Sequence, residues 1–215
     1  MAKRSVTGHI PGEFEHLVSV TSLDVLRAQA TGCRNCELWH RATQTVFGTG
    51  PMTARMMLVG EQPGDEEDVA GIPFVGPAGR TLDRALEEAG IDRSFVYVTN
   101  AVKHFKWEPG SGDKRIHKRP SISEQHSCRP WLEAEMRLVA PDIVVCMGAT
   151  AAQSLLGSTV SVLRDRGKLL HPHFAPLAMV TVHPSSILRT RGDAERHAAR
   201  AAFARDLRIA RQALG

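Results

Sequence analysis

With 215 residues, 42% hydrophobic and 23% charged, and a formal net charge of +4, the chain has enough material for one cored domain and the composition of neither a disordered nor a fibrous protein. No apolar run approaches the roughly 18 residues that a membrane span needs, and Lys3 and Arg4 are not followed by the apolar segment of a secretory leader. The expectation is a cytoplasmic monomer with no membrane partner, a single domain over 1–215 with an N-terminal extension over about 1–20.

Leu23–Ala30 reads as a short helix, followed by a turn holding Gly32 and Cys33-x-x-Cys36. Arg55–Val59 is an unbroken apolar run of the buried-strand kind, and it leads into Gly60-Glu61-Gln62-Pro63-Gly64. Pro77–Ala89 places Ala78, Leu82, Ala85, Leu86 and Ala89 at helical spacing. Phe95–Thr99 is a second strand, running into Asn100. Lys103–Pro120 shows no periodicity and is read as a long irregular loop; loops beyond about 12–15 residues are usually functional or disordered. Ser121–Val139 is a helix capped by Ser121 or Ser123, with Pro141 beyond its end. Asp142–Met147 is a third strand, Ala149–Leu156 a helix, Ala178–Val182 a fourth strand that ends in His183-Pro184-Ser185-Ser186, and Ala194–Leu214 a closing helix. Strands alternating with helices predict a mostly parallel sheet covered on both faces. Ligands bind such sheets beyond the carboxyl ends of the strands, so the loops after the first and last strands are expected to share one pocket.

The positive charge is uneven. Lys103, Lys106, Lys114, Arg115, Lys118 and Arg119 crowd one stretch against only Glu108 and Asp113. That stretch reads either as a solvated loop or as a surface that meets a polyanion, with Phe105 and Trp107 available for stacking or for packing. Of the four cysteines, Cys33 and Cys36 have the spacing of a metal or cluster pair, and a redox dithiol would need a strand-then-helix setting that is missing here. Cys128, early in its helix, is expected to be exposed enough to serve as a third ligand. Cys146 lies within an apolar strand and reads as a small buried hydrophobe. His104, just past the second strand, is the candidate fourth ligand, and spacing leaves a Cys3His zinc and an iron–sulfur cluster both open.

Taken together, Gly60-Glu61-Gln62-Pro63-Gly64, Gly71-Ile72-Pro73-Phe74-Val75-Gly76-Pro77-Ala78-Gly79, Val98-Thr99-Asn100-Ala101-Val102-Lys103 and His183-Pro184-Ser185-Ser186 resemble the uracil-DNA glycosylase superfamily, in its iron–sulfur, family 4-like branch. His104 stands where that branch has a cysteine, and the inserted segment ending Lys114-Arg115-Ile116-His117 is similar to the UdgX subgroup, although the subgroup's double arginine is Lys-Arg here. The resemblance implies a three-layer α/β/α sandwich around a central four-stranded parallel sheet. It also implies a 4Fe–4S cluster held by Cys33, Cys36, His104 and Cys128, with zinc as the alternative, and uracil-containing DNA as the partner, single strands included.

The same resemblance assigns roles residue by residue. His183 would donate to uracil O2 as the base leaves, Asn100 would read the Watson–Crick edge, and Phe74 would stack on the flipped ring. Gln62 and Asp65 join the uracil-binding set, and Asp68 with Arg115 would anchor the basic loop over the pocket. Ser185 and Lys114 would touch DNA phosphate, although Ser185 reads equally well as a helix cap. His117 is the implied nucleophile at the sugar C1′, with Glu61 holding its ring, and the nearby Lys114, Arg115 and Lys118 are expected to keep it neutral. A water-using hydrolase, a uracil-DNA binder without turnover and a zinc-bound structural protein are the competing readings.

Overall fold

The computed structural model describes residues 12–215. A 3-10 helix (Gly12–Ser19) is followed by α1 (Leu23–Ala30), β1 (Met56–Gly60), α2 (Asp65–Ala70), α3 (Pro77–Ala89), β2 (Val96–Asn100), β3 (Trp107–Pro109) and β4 (Arg115–His117). Then come α4 (Ile122–Val139), β5 (Ile143–Met147), α5 (Ala149–Leu156), α6 (Val162–Asp165), β6 (Leu169–Leu170), β7 (Leu177–Thr181), α7 (Pro184–Leu188) and α8 (Asp193–Gln212). Residues 1–11 of the expected N-terminal extension lie outside the described residues. The rest of that extension packs inward, with Phe14 and Trp131 meeting edge to face at 5.8 Å. No helix of the described residues is long and apolar enough to cross a membrane.

The sheet order is β2-β1-β5-β7-β6. The first four strands are parallel, and their side chains alternate between two cores as the two-residue strand period demands. Met57, Val59, Val144 and Val180 face α1, α4 and α5, whereas Met56, Leu58, Val145 and Met179 face α3 and α8. That is the three-layer architecture expected from the sequence, with one correction: the sheet has five strands rather than four, because Leu169–Leu170 adds an antiparallel edge to β7. Two residues are too few to leave a periodic trace.

A second correction concerns the stretch expected to be irregular. Trp107–Pro109 and Arg115–His117 form a two-stranded antiparallel hairpin in which Trp107 faces His117. Three-residue strands carry too little alternation to be read from sequence. β1 and β2 each run one residue past the expected strand end, pairing Gly60 with Asn100. This puts the two residues side by side at the mouth of the fold.

Lys103, expected in the basic surface, is fully buried instead. Its ammonium has three protons and three acceptors: Glu135 Oε2 at 2.5 Å, Thr99 Oγ1 at 2.6 Å and the Asn100 carbonyl at 2.7 Å. Glu135, also fully buried on α4, accepts further from Gly48 N (3.0 Å), Tyr97 OH (2.9 Å) and Thr99. An alanine at Gly48 would put its Cβ 2.4 Å from the Glu135 carboxylate, so only glycine lets that backbone approach.

Removing one member of a buried, fully bonded pair strands the other charge and typically costs about 3–5 kcal/mol. Lys103→Met is therefore expected to lower the urea midpoint by a shift of that size. Lys103→Met/Glu135→Leu should recover part of the loss, and an unchanged single-variant midpoint would contradict the buried pair.

Candidate active site

A cleft of about 510 Å³ opens at the carboxyl ends of β1 and β2, and Phe74, Asn100, His117 and His183 all line it. The four come from a loop, a strand end, the hairpin and the start of a helix, and no two are close in sequence.

His183 caps α7, and its Nδ1 accepts the backbone N–H of Ser185 at 3.2 Å. The neutral ring must therefore carry its proton on Nε2. That Nε2 is buried and has no hydrogen-bond partner among the described residues. Burial, then His117 and Arg189, push its pKa down to about 4, so the ring is a neutral donor at physiological pH. Asn100 Oδ1 is likewise buried and unpartnered. Buried polar atoms without partners are rare. Here one donor and one acceptor stand waiting in the same cleft.

Phe74 forms a wall beside them, its ring 6.0 Å from that of His183. Its backbone lies in the left-handed region at φ 59°, a strained conformation for an aromatic residue. The strain is held by α3, because Gly79 lies so close that a Cβ there would sit 1.7 Å from the Phe74 carbonyl oxygen. Gly60 completes the arrangement: a Cβ there would come within 2.4 Å of Asn100 Oδ1 and 2.5 Å of Phe74 Cζ.

His117 reaches the cleft from the end of β4. Its Nε2 lies 2.9 Å from Gln62 Nε2 and 3.8 Å from Glu61 Oε1. Gln62 Oε1 accepts from Lys106 N, which fixes the amide so that its two N–H protons are shared among His117 Nε2 and the Lys106 and Lys118 carbonyls. The neutral His117 ring therefore has a lone pair at Nε2 and its proton at Nδ1. The ring is half exposed, and its partial burial is the first cause that lowers its pKa; Arg189 also lowers it, while Glu61 and Glu67 raise it. Lys114, Arg115 and Lys118, expected to hold the ring neutral, are not among the causes. The Gln62 side chain clips the hairpin in place rather than reaching across the cleft.

Arg115 binds both acids considered for it, donating to the Asp65 carboxylate and, at 2.5 Å, to Asp68 Oδ2. Asp68 is fully buried and also accepts from Thr43 N and Oγ1. Arg115 lies over Phe105 (5.3 Å) and Trp107 (5.6 Å), so both aromatics pack beneath a guanidinium, the packing alternative of the two open to them. Most of the charges in this stretch are paired within the protein. Lys106 pairs with Glu124, Lys118 with Glu108, and Lys103 is buried. Lys114 stays exposed near the hairpin turn. Ser185 Oγ bonds His183 Nδ1 (2.8 Å) and accepts from Arg189 (3.1 Å). Arg189, which lines the cleft beside it, was missed in the sequence, where it is one of many arginines.

Cys33 and Cys36 pack against the same core as Cys128, on the face of the sheet covered by α1 and α4. Cys33 accepts the Trp131 indole N–H at 3.2 Å, and Cys128 accepts the Lys103 backbone N–H at 3.1 Å. Burial pushes the Cys128 thiol up to about 12, with Lys103 lowering it and Cys33 and Cys36 raising it, so the three sulfurs are close enough to feel one another. Cys128 is buried, not exposed as expected; it faces inward on α4. Its burial suits a site enclosed by protein. His104 Nε2 lies 2.9 Å from Thr45 Oγ1, and His104 is not one of the groups acting on the cysteines. Among the described residues, no three His, Cys, Asp or Glu are gathered at single-ion distance. N–H donors on sulfur are the outer contacts that a thiolate-held group uses, and on that ground Cys33, Cys36 and Cys128 fit such a group. His104 enters as a neighbour in the chain whose ring nitrogen is engaged elsewhere.

Comparison with known proteins adds a family match. The model of the uracil DNA glycosylase superfamily matches residues 47–208. A type-4 uracil-DNA glycosylase of Thermotoga maritima is 35% identical over 172 residues, covering 80% of this chain and 85% of that protein. Another from Pyrobaculum aerophilum is 33% identical over 174 residues, covering 78% and 85%. One from Archaeoglobus fulgidus is 34% identical over 152 residues, covering 69% and 72%.

The His183 assignment has a direct check. Its imidazole should remain neutral by NMR until the pH approaches about 4, and a titration near the usual 6.5 would overturn the neutral donor. Because the folded pKa lies below the unfolded one, the unfolded state binds the extra proton first. This group's stabilising contribution is therefore complete above about pH 6.5 and is lost as the pH falls toward 4.

Proposed function

The chain belongs to the uracil DNA glycosylase superfamily, and from that membership we propose that it excises uracil from DNA and retains the abasic sugar as a covalent adduct on His117. The observation that carries the capture step is the place of His117 Nε2, 2.9 Å from the Gln62 amide nitrogen, at the cleft that Asn100 and His183 also line. A flipped uracil offers N3–H to Asn100 Oδ1 and its O2 to the His183 Nε2–H, answering the two unpartnered atoms. Cytosine presents an acceptor at N3 and would leave Asn100 Oδ1 unsatisfied, which is costly in a buried site.

The chemistry then balances with few parts. The bond between C1′ and uracil N1 breaks, and its electron pair leaves with the base. The His183 donor stabilises the charge growing at O2, and the base takes a proton from solvent once free. The sugar passes through an oxocarbenium-like state. His117 Nε2, released from the Gln62 amide, gives its lone pair to C1′. The ring keeps its Nδ1 proton and becomes a cation, and the Glu61 carboxylate, 3.8 Å away in the free protein, offsets that charge. Phe74 supplies the stacking wall. Flipping is cheapest where no partner strand must be broken, so single-stranded uracil DNA is the substrate proposed first, acted on by a cytoplasmic monomer.

A 4Fe–4S cluster, when bound to Cys33, Cys36 and Cys128 with His104 as the proposed fourth ligand, would cross-link the turn after α1 to α4 and supply structural iron–sulfur bonding. None of the residues at the cleft depends on it for a proton or a bond.

A uracil-containing oligonucleotide tests the capture. The wild-type protein should give an adduct that survives SDS, and His117→Ala should give none. A surviving adduct in that variant would remove His117 as nucleophile, and free uracil with no adduct from the wild type would mean that water attacks instead. The cluster is checked separately. Purified protein should be brown with broad visible absorption, and Cys128→Ser should lose iron and colour. Colourless wild-type protein with stoichiometric zinc would overturn the cluster.

A further inference from the structure

Behind Glu61 lies a second, connected pair of residues that the family motifs do not include. We propose that Arg119 and Thr150 position the Glu61 carboxylate, holding one oxygen away so that the other faces His117. This rests on the reading that Glu61 acts on His117, and it adds which groups decide how Glu61 does so.

The direction of the hydrogen bonds is forced. Thr150 Oγ1 lies 3.1 Å from Arg119 Nε, which can only donate. The threonine hydroxyl therefore accepts from Arg119, and its single proton goes to Glu61 Oε2. Arg119 → Thr150 → Glu61 is then a chain with one polarity. Glu61 Oε2 is committed, and Oε1 is the oxygen left toward His117 Nε2 at 3.8 Å.

Each link is built to stay put. Thr150 is 1% exposed, and a β-branched side chain in a helix has few rotamers to choose from. It is the second residue of α5, where the helix dipole favours a nearby carboxylate. Arg119 has a second tether on the same helix, Nη2 to Gln153 Oε1 at 3.2 Å. Because Arg119 follows His117 by two residues, this tether also ties the foot of the hairpin to α5. Glu61, Thr150, Arg119, His117 and His183 all line a second hollow of about 480 Å³ on the far side of the two histidines.

The hydroxyl also works as a spacer. An arginine and a carboxylate in direct contact prefer a bidentate pair, which would turn Glu61 away from His117 and spend its charge on the guanidinium. With Thr150 between them, Arg119 orients Glu61 through a neutral hydroxyl that accepts from the one and donates to the other, and the negative charge is left facing the ring that becomes cationic. Removing the hydroxyl removes both the hold and the spacer.

Single-turnover uracil release and adduct formation, at saturating single-stranded uracil oligonucleotide, read this out. Thr150→Val should slow adduct formation by about 10- to 100-fold, the scale of a misplaced catalytic group, with DNA affinity and melting temperature near wild type. Thr150→Ser, which restores the hydroxyl, should return most of the rate. In a Glu61→Gln background, Thr150→Val should cost little more, because residues that act through one another are not additive. A wild-type rate in Thr150→Val, a full additional loss in the Glu61→Gln background, or no rescue by serine would overturn the positioning role. A wild-type rate in Glu61→Gln alone would remove Glu61 from the reaction and the proposal with it. That result is distinguishable from the others because it appears before Thr150 is touched.

Discussion

The ammonium of Lys103 and the carboxylate of Glu135, both fully buried, hold the catalytic end of this molecule in register. Placing two charges in the interior is costly unless every proton and lone pair is used, and here they are. The pair ties α4 to the end of β2 and grips the Asn100 carbonyl directly. The Asn100 side chain is thereby presented from a fixed backbone, and Cys128, which accepts from the Lys103 backbone N–H, is held by the same residue. One buried cation thus stands between the proposed cluster ligands on one side and the Asn100 amide, the proposed base reader, on the other.

The cleft depends on that rigidity because its working atoms have no partners among the described residues. Asn100 Oδ1 and His183 Nε2 are buried and unpaired, which costs stability and is tolerable only where a ligand supplies the missing bonds. The strained Phe74 backbone belongs to the same account: α3 presses on it through Gly79, and Gly60 leaves the room its ring occupies. Stability is given up at the site and recovered in the two cores on either face of the sheet.

The hairpin shows how charge counted along a chain leaves its partners unknown. Of six cations in seventeen residues, four meet carboxylates of this same protein. Arg115 is the clearest case, bonded to Asp65 and Asp68 and packed over Phe105 and Trp107. The cost of ordering a long loop is met by these contacts and by Gln62, and what they secure is the position of His117 near Glu61.

The order of strands and helices, the two polar loops beyond β1 and β7, and the family resemblance were legible in the sequence, because hydrophobic period and motif spacing are local properties. Strand ends, the edge strand β6 and the hairpin were not, since two or three residues carry no period and their pairing is decided by neighbours distant in the chain. The depth of Lys103 and Cys128, the proton on His183 Nε2 and the chain from Arg119 through Thr150 to Glu61 arise from contacts between segments far apart in sequence. Residue identity determined which chemistry was available. Only the tertiary structure decided which of those groups are buried, paired or left waiting, because burial and partnership are set by the fold as a whole.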